Sequence, residues 1–216
     1  MTVAAVVFDL DGVLVDSEQV WDAARRDVVA EHGGTWKDSA TRDMLGMSAP
    51  EWSRYVVEEL QVPLTPEQVN RAVVDAMLRE YDERLPLLPG ACEAVERMAE
   101  RWPLGLASSS NRPVIDLVLD RMGVAAKFAA TVSSEEVGRG KPAPDVYVEA
   151  ARRLGVDPRA CAAVEDSENG IRSAHAAGMR VLAIPNPHFP PAEDAVALAD
   201  AVLPDLDALT AERVAS

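Results

Sequence analysis

The sequence predicts an α/β fold: a doubly wound parallel sheet with a small inserted α-helical cap. Short apolar runs alternate with amphipathic helical segments along much of the chain, a pattern typical of a parallel sheet with helices on both faces. In residues 16–85, by contrast, helical periodicity dominates and no segment has the composition of a strand. We therefore expect a core domain of residues 1–15 and 86–216, interrupted by a helical cap domain of residues 16–85.

The predicted elements follow in chain order. Apolar and β-branched residues 3–8 predict a first strand that is buried on both faces. Three cap helices are predicted near residues 17–32, 50–61 and 66–82. The last begins at Thr65 with the signature of a cap residue, a proline and an acid. The later strands are predicted at 104–108, 129–132, 161–166, 180–184 and 201–203. The later helices are predicted at 90–101, 112–122, 144–154 and 168–177, with a proline-rich loop at 184–194.

Composition limits the class of protein. The 216 residues are 48% hydrophobic, which suffices for one sizeable core and a smaller unit. With 21 basic and 36 acidic residues the net charge is −15, which argues against a nucleic-acid partner. Because the sequence has neither a membrane-spanning apolar run nor a signal-peptide pattern, we expect a cytoplasmic protein with no membrane partner. Nothing in the sequence indicates an oligomer, and a monomer is the simplest expectation.

Cysteine and histidine offer no obvious metal site. Cys92 and Cys161 are far apart and form no CxxC pair, so we expect two reduced core cysteines. His32, His175 and His188 show no metal-ligand spacing, and we expect them to be structural or surface residues.

Acidic residues follow the first strand directly, in "FDLDGVLVDSE" at 8–18. In an extended chain Asp9 and Asp11 lie on the same side, with Leu10 pointing away. Two carboxylates in one small site cannot both stay ionised cheaply without a compensating cation or hydrogen-bond donors. The stretch therefore predicts a metal site.

Polar clusters end four separate predicted strands, and the carboxyl ends of parallel strands meet in one crevice. Any one cluster is explained equally well by a helix cap, a turn or a solvated lysine, but their combination predicts a site. A nucleotide-type phosphate loop at "GRGKP" is excluded, because Lys141 is followed by proline. The clusters are Asp9 and Asp11, Ser108 to Asn111, Lys141, and Glu165 with Asp166.

Phosphoryl transfer through an aspartyl phosphate is the chemistry that fits these clusters. Asp9 is the candidate nucleophile, and Asp11 is the candidate acid that protonates the leaving alkoxide and then activates water. Oxygen ligands from Asp9, Glu165, Asp166 and a loop carbonyl suit Mg²⁺.

The remaining polar residues receive roles around the phosphoryl group. Lys141 would screen its negative charge from the nucleophile, and Ser108 with nearby backbone N–H groups would donate to its oxygens. Ser109 and Asn111 are the further candidate substrate-binding residues of this segment.

Four segments resemble the signature motifs of the haloacid dehalogenase superfamily, in that family's order: "FDLDGVLVDSE", "LGLASSS", "GRGKPAPDVY" and "AVEDSENG". The resemblance implies a Rossmann-like core. It also implies the site residues: the nucleophile at Asp9, the acid/base at Asp11, which would bind the metal through its backbone carbonyl, the hydroxyl at Ser108, the lysine at Lys141, and metal-binding acids at Glu165 and Asp166.

The helical insertion resembles the cap of the subgroup that contains β-phosphoglucomutase and many sugar-phosphate phosphatases. "DSEQVWDAARRDV" and "LLPG" are most similar to bacterial 2-deoxyglucose-6-phosphate or hexitol phosphatases. The resemblance therefore implies a Mg²⁺-dependent phosphatase that acts on a small sugar or polyol phosphate.

A phosphosugar mutase is the main alternative. By resemblance, a mutase carries a cap arginine after a Gly-x-Ser segment and a histidine in the first cap helix, whereas this chain has Ala49 and Trp21 at those positions. Arg79 and Arg84 are candidate substitutes for that arginine. Trp21 and Met47 are predicted to form an apolar wall against a sugar face.

A non-enzymatic protein is the more distant alternative. A phosphorylatable receiver domain carries its metal acids first and its phosphorylated aspartate on a later strand, whereas here an acid pair comes last. A catalytically inactive binding protein of the same fold would be expected to have lost one of the acids, and none is missing.

Overall fold

The computed structural model describes residues 2–44 and 47–216. Its centre is a six-stranded sheet in which every neighbouring pair is parallel, with strand order β3-β2-β1-β4-β5-β6. The strands are β1 (Ala5–Phe8), β2 (Leu104–Ser108), β3 (Phe128–Ser133), β4 (Cys161–Glu165), β5 (Arg180–Ala183) and β6 (Ala201–Val202). This architecture confirms the predicted α/β fold with a doubly wound parallel sheet.

The helices fall into two groups. Four lie between β1 and the rest of the sheet, within the segment 16–85 that is called the cap below: α1 (Glu18–Glu31), α2 (Ala40–Met44), α3 (Ala49–Glu58) and α4 (Pro66–Glu83). The others alternate with the later strands or follow them: α5 (Ala91–Ala99), α6 (Arg112–Arg121), α7 (Asp145–Leu154), α8 (Glu168–Ala176), α9 (Glu193–Val196) and α10 (Ala211–Ala215).

Strand β1 is the centre of the sheet and sets its register. Phe8, at its end, is paired with Leu106 of β2 and Val164 of β4. The strand order reverses direction between β1 and β4, which is where open α/β sheets bind ligands beyond their carboxyl ends. The register therefore brings the residues that follow these three strands to one place.

Each face of the sheet packs into its own apolar layer, because alternate residues of a strand point to opposite faces. Val6 and Phe8 belong to a cluster that continues through α5 and α6 into the cap helices. Ala5 and Val7 belong to a second cluster, formed with helices α7 and α8. Core and cap thus share one continuous apolar cluster on one face of the sheet.

Helix α4 connects the cap to the core. It begins as predicted: Thr65 accepts a hydrogen bond from Gln68 N, its own N–H donates to Gln68 Oε1, and Pro66 occupies the first turn. Along its length α4 packs against α1 and α3 within the cap and against α6 of the core.

The differences from the predicted elements concern short helices. Helices α2, α9 and α10 have four or five residues each, which is too short for a periodic apolar pattern to be recognised. Helix α9 lies at the end of the segment predicted as a proline-rich loop. Within residues 2–44 and 47–216, no helix has the combination of length and apolarity that crossing a bilayer requires.

Gly170 in helix α8 shows how closely this helix approaches the end of β4. We expect Gly170→Ala to lower the free energy of unfolding by about 2–4 kcal/mol, because the added methyl carbon would lie 1.9 Å from the buried carboxyl carbon of Glu165. This loss corresponds to roughly 5–15 °C in Tm for a chain of this size, measured by calorimetry.

Gly138→Ala is the matched control, because the nearest atom to its added methyl is 3.7 Å away, and we expect its Tm to stay within about 2 °C of wild type. A Gly170→Ala protein as stable as this control would contradict the close packing of α8 on Glu165.

Candidate active site

The carboxyl ends of β1 and β4 bring together a buried cluster of charges. One carboxylate oxygen from each of Asp9, Glu165 and Asp166 lies within 4.8 Å of the others. Lys141 reaches this cluster from the loop before α7, and its Nζ lies 2.8 Å from Asp9 Oδ1 and 2.6 Å from Glu165 Oε1. All four side chains are almost completely buried. The structure thus places three predicted metal acids and the predicted lysine in one site.

Glu165 is surrounded by donors from its own chain. Its Oε1 accepts hydrogen bonds from Lys141 Nζ and from the hydroxyl of Tyr147 at 2.7 Å. Its Oε2 accepts from the backbone N–H of Asp166 at 3.1 Å and from Ser167 Oγ at 3.2 Å. Both oxygens are therefore engaged, and the carboxylate holds Lys141 in place against Asp9.

Gly12 keeps the loop after β1 close to Asp166. Its φ of +75° lies in the left-handed region that favours glycine, and a Cβ there would lie 1.9 Å from Asp166 Oδ2. A side chain at this position would push the carboxylate out of the cluster.

The electrostatics of the cluster favour a bound cation. Burial, and then repulsion by Glu165, raise the pKa of Asp9 to about 8, although Lys141 opposes this shift. Burial and repulsion by Glu165 likewise raise the pKa of Asp166 well above its usual value. Burial alone would lower the pKa of Lys141, but the neighbouring Asp9 and Glu165 outweigh it and raise the pKa. Three carboxylates face a single lysine here, so the donor set fits a divalent cation.

Asp11 is held by both the core and the cap. Its Oδ2 accepts hydrogen bonds from Ser110 Oγ at 2.6 Å and from Ser108 Oγ at 3.3 Å. Its Oδ1 accepts a hydrogen bond from Trp21 Nε1 of helix α1 at 3.0 Å. The second acid of the first motif is therefore oriented by a residue of the cap.

Ser108 lies at the end of β2, beside Asp11. It is fully buried, and its hydroxyl is engaged with Asp11 and with the backbone N–H of Ser110, which donates to it at 2.9 Å. The cavity described next is lined instead by Ser109 and Ser110. The hydroxyl of Ser108 therefore contacts Asp11 directly, and its contact with the phosphoryl group stays a prediction.

A cavity of about 600 Å³ lies between the core and the cap, over the charge cluster. The core supplies one wall: Asp9, Asp11, Ser109, Ser110, Lys141, Asp166, Ser167, Glu168 and Asn169. The cap supplies the opposite wall: Glu18, Trp21, Arg25, Arg42, Met44, Met47 and Trp52. The loop after β5 supplies the third wall: Asn186, His188, Phe189, Pro190, Pro191 and Ala192.

Several predicted cap and substrate residues can now be placed. Trp21 and Met47 both lie in the cap wall, and Ser109 lies in the core wall. Gly46, which belongs to the segment compared with the mutases, lies outside the described residues. Asn111 does not line the cavity, because its amide donates to Asn70 Oδ1 of α4 and to Glu135 Oε1, so it joins the core to the cap.

The cap cations in the cavity are not the predicted ones. Arg79 lines a different groove, between α1 and α4, and Arg84 is an exposed residue at the end of α4. The cavity instead contains Arg25 and Arg42. The sequence could have indicated that Arg25 faces the cavity, because it lies one helical turn after Trp21 on the same face of α1.

The loop after β5 is a second part of the site that the sequence prediction missed. His188 is exposed, as predicted for a surface residue, but the sequence analysis placed neither it nor Phe189 in the lining of the cavity. The position of this loop could have indicated its role. It follows the carboxyl end of β5, the strand next to β4, where ligands of such sheets bind.

Glu18 is an acid of the cap wall that titrates near neutral pH. Burial, and then the charge of Asp11, raise its pKa to about 7, while Arg25 opposes the shift. Because this pKa is higher in the folded than in the unfolded chain, the stability that Glu18 contributes is present below about pH 4.5 and is lost as the pH rises through 7.

We therefore expect Glu18→Gln, which cannot ionise, to raise Tm at pH 8 by about 3 °C or more and to leave it nearly unchanged at pH 5. Calorimetry in the presence of a chelator measures both values. Glu31→Gln, at an exposed position at the end of α1, is the control and should follow wild type at both pH values. An equal effect of Glu18→Gln at the two pH values would show that ionisation is not its cause.

Comparisons with known proteins identify the family of the chain. The haloacid dehalogenase-like hydrolase family model matches residues 3–178. Hexitol phosphatase B of Escherichia coli K12 is 38% identical, with 97% of this chain and 96% of the relative covered. Fructose-1-phosphate phosphatase YqaB of the same bacterium is 32% identical, with 82% and 93% covered. The crystal structure of CbbY from Rhodobacter sphaeroides in complex with phosphate is similar with a TM-score of 0.88 at 26% identity, covering 98% of this chain and 99% of that one. The chain therefore belongs to the haloacid dehalogenase-like hydrolase family.

Proposed function

We propose that the protein is a Mg²⁺-dependent phosphatase that hydrolyses a small sugar or polyol phosphate monoester through an aspartyl phosphate. The observation that carries the proposal is the buried Asp9, paired with Lys141 and lying beside Asp11 at one wall of the cavity. A volume of about 600 Å³ suits a ligand the size of a hexose phosphate. The names of the two Escherichia coli relatives support a phosphorylated sugar or hexitol as the substrate.

Asp9, Glu165 and Asp166 are the side chains that would hold the metal, with Asp11 contributing its backbone carbonyl. When bound, Mg²⁺ supplies positive charge that screens the phosphoryl oxygens from the attacking carboxylate. Glu165 also holds Lys141 in place against Asp9, because its Oε1 accepts a hydrogen bond from Lys141 Nζ.

The first displacement joins Asp9 to the phosphoryl group. An Asp9 carboxylate oxygen attacks phosphorus, and the bond between phosphorus and the sugar oxygen breaks. Asp11 gives its proton to the leaving alkoxide. Ser109 lines the cavity beside Asp11, and together with Ser108 it would donate hydrogen bonds to the phosphoryl oxygens.

The second displacement releases the phosphate. Asp11, now ionised, removes a proton from water, and the resulting hydroxide attacks phosphorus. The bond between phosphorus and Asp9 breaks, which restores the carboxylate and frees inorganic phosphate. Residues 16–85 act as the cap domain that covers the site, and Trp21 keeps the Asp11 carboxylate directed toward the reacting atoms.

A phosphosugar mutase is the second candidate, and the cap cations favour it. A mutase must bind a second phosphate in the cap, and Arg25 and Arg42 line the cavity there. The position that resembles the mutase arginine nevertheless holds Ala49, which is buried in helix α3.

The test measures products with purified protein and Mg²⁺. A panel of sugar and polyol phosphates is scored for released phosphate, and β-glucose 1-phosphate with a trace of the 1,6-bisphosphate is scored separately for glucose 6-phosphate and for phosphate. Isomer formation that greatly exceeds phosphate release would favour the mutase. Absence of both products across the panel would refute the enzymatic proposal.

In the same assay we expect Asp9→Asn to reduce kcat at least about 10³-fold, because an amide cannot attack phosphorus. Asp16→Asn is the matched control. It changes the third aspartate of the same motif, which does not line the cavity, and should keep kcat within about threefold. Near-normal activity of folded Asp9→Asn would remove Asp9 from the mechanism.

Metal binding can be measured without turnover. We expect saturating MgCl₂ to raise the Tm of the metal-free protein by about 5–10 °C, because a ligand at 100 times its Kd stabilises the folded state by about 2.7 kcal/mol. Asp166→Asn should largely abolish this shift, whereas Asp16→Asn should retain it. A full shift in Asp166→Asn would exclude Asp166 as a ligand.

A further inference from the structure

A buried cation of the cap has no hydrogen-bond or ion-pair partner among the residues that the structure describes. Arg25 of helix α1 is only 8% exposed and lines the cavity. Within residues 2–44 and 47–216 its Nε has no hydrogen-bond partner, and no carboxylate lies within 4.0 Å of its guanidinium. The adjacent Arg26 shows the contrast, because it is half exposed and pairs with Asp22 at 2.6 Å. A buried, unpaired charge is costly, so this position calls for an external partner.

Two indole rings hold the guanidinium in place. Its central carbon lies 5.3 Å from the ring centroid of Trp21 and 5.2 Å from that of Trp52. The two rings are 6.2 Å apart and tilted by 56°. Cation–π contacts of this kind stabilise the charge and restrict the guanidinium plane, but they accept none of its N–H bonds. The N–H groups of Arg25 therefore stay available to a molecule in the cavity.

The available N–H groups favour an anion over a sugar hydroxyl. A guanidinium matches a carboxylate or a phosphate through parallel, charge-assisted hydrogen bonds, whereas a neutral hydroxyl would accept only a weaker, single hydrogen bond. Glu18, two helical turns earlier on α1, makes no ion pair with Arg25 in the described part of the chain. Arg42 adds a second cation to the same wall.

We propose that Arg25 binds a second anionic group, a carboxylate or a phosphate, at the end of the substrate remote from the transferred phosphoryl group. The preferred substrate is then a phosphorylated sugar acid or a sugar bisphosphate, and Arg25 is its specificity-determining residue. This inference rests on the proposed function, because it assumes that the phosphoryl group lies at Asp9.

The test compares three ligands that differ at the remote end: glucose 6-phosphate, 6-phosphogluconate and glucose 1,6-bisphosphate. For each, kcat/KM is measured from released phosphate in the presence of Mg²⁺. Kd is measured by calorimetry on an Asp9→Asn background, so binding is determined even without turnover. The variants are Arg25→Met, Arg25→Lys and, as matched control, Arg79→Met, which removes an exposed cap cation outside the cavity.

We expect wild type to prefer at least one of the two ligands with an anionic remote end about tenfold or more over glucose 6-phosphate. Whether the carboxylate or the phosphate ligand is preferred identifies the source of the anion. Arg25→Met should lower kcat/KM, or weaken binding as measured by Kd, about 10- to 100-fold more for the preferred ligand than for glucose 6-phosphate. Arg25→Lys should restore part of this selectivity, and Arg79→Met should match wild type.

If Arg25→Met lowered kcat/KM and affinity equally for all three ligands, Arg25 would have only a structural role and the inference would be overturned. The inference also fails if wild type binds the three ligands equally, or binds none of them. Turnover of glucose 6-phosphate without any preference would leave the phosphatase proposal intact and remove only the role of Arg25. Selective binding without phosphate release from any ester would support Arg25 and refute the phosphatase.

Discussion

The contact on which the rest of the site depends is the buried ion pair of Lys141 with Asp9 and Glu165. A buried ion pair is stable only where the two charged groups are held in a well-defined geometry and their remaining donors and acceptors form hydrogen bonds. The sheet provides the geometry, because β1 and β4 are adjacent and in register and end at the same level. The hydroxyl of Tyr147 satisfies Glu165 by donating a hydrogen bond to it. Gly170 has no side chain and so leaves space for the Glu165 carboxylate.

Because the buried ion pair requires a fixed backbone, the proposed chemistry and the proposed substrate recognition lie in different parts of the molecule. The proposed nucleophile and metal-binding acids follow β1 and β4, whose backbones are fixed by strand pairing on both sides. The cap residues that line the cavity lie on helices, whose position depends on side-chain packing against the core through α4 and α6. The cavity between them therefore combines a rigid catalytic wall with a wall that can vary without disturbing the charge cluster.

The sequence was sufficient to predict the sheet and the catalytic wall, because both follow from local pattern and from one topological rule. Each strand was recognisable by its apolar run, and parallel strands bring their carboxyl ends together, so Asp9, Lys141 and Asp166 were predicted as neighbours. Arg25 was not predicted, since its position in the cavity depends on how α1 packs against α4 and how α4 packs against the core. Asn111 was predicted to bind substrate but does not line the cavity, and the reason is similar: its hydrogen-bond partner Asn70 lies 41 residues earlier, in the cap.

Trp21 links the two walls. Its indole N–H donates to Asp11 Oδ1, while its ring faces the guanidinium of Arg25. A displacement of α1 that moved Arg25 away from the cavity would also break the hydrogen bond that orients Asp11. Occupation of Arg25 by a ligand and correct placement of the catalytic acid therefore favour the same position of the cap. Binding energy at the remote end of the substrate can in this way be used to orient the group that protonates the leaving oxygen.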